Sequence, residues 1–324
     1  MLAQFSTLEF SSRCAFDRES LSPLRGITVA LVDTDPISEV RALGIIPCIV
    51  VGRRGSEYDL TSNCDVIVDK DDELDEILTT IERSPQAALA AVLLLRGVEN
   101  RTIEESLIAE STTYSLLQGG AEFAQWKNRR VNREREDSGE LEVLSERIDD
   151  HLIVTLNSPM RRNAYSSKMR TALAEILQLA LIDESIQSIT LRGAGSNFSS
   201  GGDLDEFGSF SDSVVAHISR LTSNVGTSLN QLRERLGTKL RCEMHGVNFG
   251  AGVELPAFAG WVVANRETRF CLPEIALGLV PGAGGTASLP RRIGGQRTTW
   301  LALTGRAIDA QKAFEWGLID EIST

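Results

Sequence analysis

Two carboxylates stand out by their surroundings. Glu254 lies in "NFGAGVELPAFAG" (248–260), an otherwise apolar run, and Glu274 lies in "RFCLPEIALG" (269–278). Burial among apolar side chains raises a carboxyl pKa, so such a group can carry a proton near neutral pH. Two carboxyls facing one substrate can divide acid–base work, one taking a proton and the other giving one. Two Gly-rich turns accompany them, "FSSGGDL" (198–204) and "FGAGVEL" (249–255), each after a strand pattern and before a helical one. Glycine lets backbone N–H groups come close to a ligand. Two N–H groups aimed at one oxygen, at least one from a helix N-terminus, make an oxyanion hole. A third Gly-dense turn, "GLVPGAGGTASLPRRIG" (278–294), opens a helix. Nucleophilic alternatives have little support: the histidines are His151, His217 and His245, and no GxSxG elbow accompanies them.

The elements that must position these residues are legible from periodicity. "HLIVTLN" (151–157), "IQSITLRG" (186–193) and "TKLRCEMHG" (238–246) read as strands, and "SSKMRTALAEILQLALID" (166–183) as an amphipathic helix. A single long helix is expected over 213–236. "WVVAN" and "TRFCLPEI" add strands, and three helices punctuated by glycine close the sequence. In the N-terminal half, residues 1–25 read as loosely ordered. Strands are expected at 27–33, 46–52 and 64–69, with a short helix at 36–43. "DDELDEILTTIER" (71–83) places Leu74, Ile77, Leu78 and Ile81 on one helical face, with acids at its start as the helix dipole favours. "QAALAAVLLLRG" and "TIEESLIAESTTYSLLQGG" continue as helices. The organisation is therefore an N-terminal α/β and helical region (26–135), a charged linker (136–145) and an α/β catalytic core (146–324), the β-α-β order implying right-handed crossovers.

Composition narrows the function. The 324 residues carry a formal net charge of −12, which disfavours nucleic acid and anionic membranes as partners. No apolar run approaches the roughly 20 residues of a membrane span. The N-terminus has no secretory pattern. The five cysteines are dispersed without CxxC spacing, which points to a reducing, cytoplasmic setting and no metal site. Asp33 and Asp35 end a strand, but no phosphate loop follows, so they read as surface acids.

Taken in order, "NSPMRRNAYSSKM", "RGAGSNFSSGGDLDEF", "HGVNFGAGVEL", "RFCLPEIALGLVPGAGGTASLPRRIG" and "LTGRAIDAQKAFEWGLIDEI" resemble the core of the crotonase, or enoyl-CoA hydratase/isomerase, superfamily over about 150–322. The resemblance implies a ββα spiral core that binds an acyl-CoA thioester and stabilises its enolate. The backbone donors then fall on Gly202 and Ala251, and the paired glutamates of the hydratases on Glu254 and Glu274. Coenzyme A is part of the substrate and no separate cofactor is implied. Ala164 becomes a backbone contact to CoA. Arg161 and Arg162 become candidates for its phosphates, and Ser200, Gly201, Asp203, Leu204, Gly250, Pro281 and Gly282 line the cleft. Three readings follow: a hydratase of fatty acid metabolism, an enoyl-CoA isomerase working through Glu274, or a non-catalytic acyl-CoA-binding or assembly protein. A trimer or hexamer is implied.

Departures from the family pattern carry expectations too. His245 stands where asparagine is usual and reads as a packed, satisfied side chain. Ser288 stands in place of a frequent arginine. Pro256 follows Glu254 closely enough to delay or kink its helix and move the carboxylate. The helices that follow the core in family members are not found after "GLIDEIST". Residues 65–130 resemble them instead, which implies a transposed arrangement in which the N-terminal half caps the site.

Overall fold

The computed structural model describes residues 5–10, 27–32, 48–53, 64–131, 139–209 and 212–323. The N-terminal half builds β1 (Phe5–Phe10), β2 (Ile27–Val32), β3 (Cys48–Arg53) and β4 (Val66–Val68), then helices α1 (Asp71–Arg83), α2 (Pro85–Arg96), α3 (Ile103–Gln118) and α4 (Ala121–Arg129). The four strands pair in sequence order, all parallel. The run Cys48–Val51 is fully buried, as a parallel strand covered on both faces should be. Residues 5–10 thus form a strand, in contrast to the loose N-terminus expected. The helix expected at 36–43, and Asp33 and Asp35, lie outside the described residues.

The second half runs β5 (Val143–Ile148), β6 (His151–Leu156), α5 (Ser167–Ile182), β7 (Ser188–Gly193), α6 (Ser213–Thr222), α7 (Val225–Leu236), β8 (Leu240–Met244), β9 (Val247–Phe249), α8 (Ala251–Glu254), β10 (Trp261–Asn265), β11 (Arg269–Cys271), α9 (Gly285–Ile293), α10 (Gly295–Thr304), β12 (Ile308–Asp309), α11 (Ala310–Trp316) and β13 (Glu321–Ser323). Its main sheet has the order β13-β10-β8-β7-β6-β5, parallel except for the β5–β6 hairpin. Strands β12, β11 and β9 form a smaller sheet beside it. Two elements differ from expectation. The long helix over 213–236 is two helices, because Asn224 leaves helical geometry and its side chain caps α7 by accepting from the Thr227 N–H at 3.0 Å. The linker expected at 136–145 already enters β5, whose six residues pair with β6.

Helices α1–α4 pack against this second half. Leu74, Ile77, Ile81, Ala88 and Val92 share one apolar core with Ile275, Leu279, Val280, Ala302 and Leu303. Polar contacts fix the orientation. Arg306 reaches Glu76 at 2.5 Å and Asp72 at 2.7 Å, and Arg291 donates to the Arg101 carbonyl at 2.6 Å. On α4, Lys127 donates to the Gly208 carbonyl at 2.6 Å and Arg130 pairs with Asp205 at 2.7 Å. The stacked Phe123 and Trp126 rings lie against Phe207. The N-terminal helices therefore touch the same Gly-rich loop that the sequence nominates for the site.

Candidate active site

The loop after β7 is held by two buried asparagines. Asn163 donates to the carbonyls of Ala194, Asn197 and Phe198 at 2.8, 2.9 and 3.1 Å. Asn248 accepts the Ser199 N–H at 3.0 Å. These bonds tie the 194–202 loop to β9, whose end carries the second Gly-rich turn. Gly201 has φ +85°, and a β-carbon there would sit 2.5 Å from the Phe249 carbonyl oxygen, so the two turns touch only because that carbon is missing. The N–H groups of Gly202 and Ala251 donate to no acceptor among the described residues, and both residues line one cavity. Ala251 is the first residue of α8, where a free N–H is expected.

The helix carrying Glu254 is not delayed, but it is broken after one turn, in line with the kink expected from Pro256. The helix starts at once, at Ala251, and runs through Glu254. Pro256 then opens a 3-10 turn over Pro256–Phe258, a position that needs no N–H from it. Glu254 is buried, and its Oε2 accepts the N–H groups of Ala283 (2.8 Å) and Gly285 (2.7 Å) at the start of α9. Ser288 donates to the Glu254 carbonyl at 2.9 Å, so the residue in place of the usual arginine anchors the turn that carries Glu254. Glu274 is buried opposite, and its Oε2 has no hydrogen-bond partner.

A third acid completes the cluster. Glu110, on α3, is 2% exposed. It accepts from the Gly284 N–H (2.7 Å), the Thr286 N–H (2.8 Å) and the Thr286 hydroxyl (2.7 Å). Glu110 and Glu254 thus alternate along four successive N–H groups at one helix N-terminus, where backbone dipoles favour negative charge. Burial raises all three carboxyls. Glu254 is pushed to about 7 against the pull of its backbone donors. Glu110 is pushed to about 8 by burial and the charge of Glu254, and Glu274 is raised well above the ordinary range by the same two causes. Burial thus favours the proton-bearing form of each of these carboxyls relative to an exposed one.

Among the other nominated residues, Asp203 and Gly282 line the same cavity. Ser200, Gly201, Leu204, Gly250 and Pro281 stand in the adjoining loops without facing it. Arg162 is exposed in a left-handed conformation, and its carbonyl accepts the Ser200 N–H at 2.8 Å. The Ala164 N–H is taken by the Arg161 carbonyl at 3.1 Å. Arg161 departs from expectation: its guanidinium pairs with Asp203 (2.9 Å) and Asp205 (3.1 Å), so its charge is spent within the loop. His245 is half-buried, with Nε2 on the Gly195 carbonyl at 3.0 Å. The sequence reading missed Glu110, Arg170, Arg220 and Tyr114, all on the cavity wall. The buried face of α3 (Ser106, Leu107, Glu110, Ser111, Tyr114) carried the signal for Glu110, an acid on an otherwise apolar and small-residue stripe.

Gly250 makes a direct prediction. Its φ of +46° and ψ of −117° suit glycine alone, and a β-carbon there would collide with Oε1 of Glu274. Gly250→Ala should destabilise the fold by about 1–3 kcal/mol and misplace Glu274. Both a lowered melting temperature and reduced turnover are expected in the same variant.

This geometry has relatives. The enoyl-CoA hydratase/isomerase family model matches residues 150–324. The chain belongs to the enoyl-CoA hydratase/isomerase family. It is 32% identical over 188 residues to 2,3-dehydroadipyl-CoA hydratase of Escherichia coli, covering 56% of this chain and 69% of that protein. It is 33% identical over 171 residues to 1,2-epoxyphenylacetyl-CoA isomerase of Escherichia coli, covering 53% and 65% respectively. Among solved structures, an enoyl-CoA hydratase of Mycobacterium smegmatis aligns with TM-score 0.51 and 29% identity, over 57% of this chain and 71% of that one. A second enoyl-CoA hydratase, from Thermobifida fusca and in complex with CoA, aligns with TM-score 0.50 and 27% identity over 57% and 72%. Hydratase and isomerase names both occur among family members of this similarity. The ββα spiral core is thus that of the crotonase superfamily. No helix among the described residues is long and apolar enough to cross a membrane.

Proposed function

We propose that this enzyme adds water across the 2,3 double bond of an acyl-CoA thioester. The observation that carries the reading is the placement of Glu254 and Glu274 on one cavity with the unengaged N–H groups of Gly202 and Ala251. The thioester oxygen accepts those two N–H groups, which stabilise the enolate as charge moves onto it. Glu254, anchored through Oε2, uses its other oxygen to take a proton from water as the water oxygen bonds to C3. Glu274 gives its proton to C2. Each substrate proton is accounted for, and exchange with solvent resets the pair. Helix α3 closes the cavity from the N-terminal half. Coenzyme A enters as part of the substrate.

A second reading, double-bond isomerisation, is favoured by one feature: Glu274 alone of the pair leaves Oε2 unpartnered, as a single proton shuttle would. Incubation with crotonyl-CoA tests the first reading. The absorbance of the conjugated thioester should fall as 3-hydroxybutyryl-CoA forms. If it stays constant while a 3-enoyl-CoA gains that absorbance, the isomerase reading replaces it. Tight binding of both esters with turnover of neither would leave a binding protein.

A further inference from the structure

We propose that Arg170 and Arg220 form a subsite for a carboxylate at the far end of the acyl group, so that the preferred substrate is the CoA monothioester of an unsaturated dicarboxylic acid. Both arginines line the cavity that holds Glu254 and Glu274. Neither forms an ion pair with an acid among the described residues. Of the other acids on this cavity, Asp203 pairs through Oδ1 with Arg161, Glu206 accepts the Ser167 N–H at 2.7 Å, and Glu110 is held by the start of α9.

The two guanidiniums are nonetheless held in place. Arg220 donates through Nε to the Ser111 hydroxyl at 3.2 Å, through Nη1 to the Gln118 side-chain oxygen at 3.4 Å and through Nη2 to the Ser111 carbonyl at 3.5 Å. It also donates to the Ser115 hydroxyl, and it lies 4.8 Å from the Tyr114 ring centre. These hydrogen-bond partners are neutral, so they orient the charge without compensating it. Arg170 donates to the Ser219 hydroxyl at 3.0 Å, next in sequence to Arg220, and its buried Nε has no partner. Burial holds Arg220 below its usual pKa range, with the like charge of Arg170 adding to the effect and Tyr114 and Glu110 opposing it. Two guanidiniums held on one cavity wall by neutral partners, with Nε of Arg170 unpartnered, offer an anion a charged site, and a carboxylate matches a guanidinium bidentately. Leu107, Tyr165 and Val225 on the same wall leave an apolar path for the methylenes between.

This inference rests on the acyl-CoA reading of the cleft, so the test measures binding as well as turnover. Hexanoyl-CoA and adipyl-CoA differ only in the terminal group, and neither is consumed by hydration. Calorimetric titration of the wild-type protein should find adipyl-CoA bound about tenfold to a hundredfold more tightly, the range of a charged hydrogen-bonded pair. Arg220→Gln and Arg170→Gln should each shrink that ratio, and Arg220→Lys should retain more of it than Arg220→Gln. Equal affinities, or a preference for hexanoyl-CoA, in the wild-type protein overturn the subsite while leaving the acyl-CoA reading standing. Binding of neither ester overturns both. The wild-type comparison decides the matter even if a variant folds poorly.

Discussion

Glu274→Gln is expected to lower hydration of crotonyl-CoA by about two to four orders of magnitude, the usual worth of a positioned proton donor, while the protein stays folded. The expectation follows from the state of the group. Glu274 is buried, one oxygen has no partner, and both burial and the charge of Glu254 favour its neutral form. In the proposed mechanism it is the proton donor of the pair, and glutamine has the same shape without the acidic proton. Glu254→Gln should give a loss of similar size for the complementary reason. Its amide oxygen can still accept the Ala283 and Gly285 N–H groups, so the turn survives, but an amide cannot deprotonate water. The pH profile of the wild-type enzyme should rise as Glu254 ionises, near its raised pKa of about 7, and fall once Glu274 loses its proton. Hydration in Glu274→Gln above a tenth of the wild-type rate would remove Glu274 from the acid role. Hydration lost only in Glu274→Gln would shift the chemistry to a single shuttle.

The core of this site is written in local sequence. Glycine at 201, 202 and 250 and an acid at 254 announce themselves because the chain departs from ordinary helix and strand composition there. The strands around them follow from alternation and β-branching, and β6, β7 and β8 lie where periodicity placed them. What could not be read is what depends on distance along the chain. Arg161 reads as a free cation until the fold brings Asp203 and Asp205 to it. The break between α6 and α7 turns on one asparagine cap, which helical periodicity on either side conceals. Arg170 and Arg220 sit in helices with other polar residues nearby in sequence, and nothing local separates them from solvated charges. Glu110 shows the limit most clearly: 174 positions separate it from Gly284, yet the two are hydrogen-bonded.

Glu110 also carries the largest expected effect on stability. Removing its carboxylate in Glu110→Ala strands three buried donors, the N–H groups of Gly284 and Thr286 and the Thr286 hydroxyl. At about 1–3 kcal/mol for each unsatisfied buried group, with relaxation of the neighbours reducing the sum, a loss of at least about 3 kcal/mol is expected in denaturant unfolding. Because the bonds join α3 to the first turn of α9, the same variant should expose the junction between α3 and α9 to limited proteolysis. The pH dependence runs in a definite direction. Burial and the charge of Glu254 raise the folded-state pKa of Glu110 from 4.5 to about 8, outweighing its three donors. Between those values the folded protein binds a proton that the unfolded chain has released. The contribution of Glu110 to stability therefore declines as pH rises through that window and levels off above it. Glu254, raised to about 7, adds a slope of the same sign. Melting temperatures at fixed ionic strength from pH 5 to 9 should fall for the wild-type protein and fall less steeply for Glu110→Gln. Glutamine keeps one acceptor oxygen but turns its amide toward a donor, so its melting temperature should also be lower throughout. An unchanged slope in Glu110→Gln would mean that Glu110 is ionised in the folded protein across the whole range, with its donors prevailing over burial. A carboxylate permanently charged beside Glu254 would then hold Glu254 protonated to higher pH, and the activity profile of Glu110→Gln would move toward lower pH.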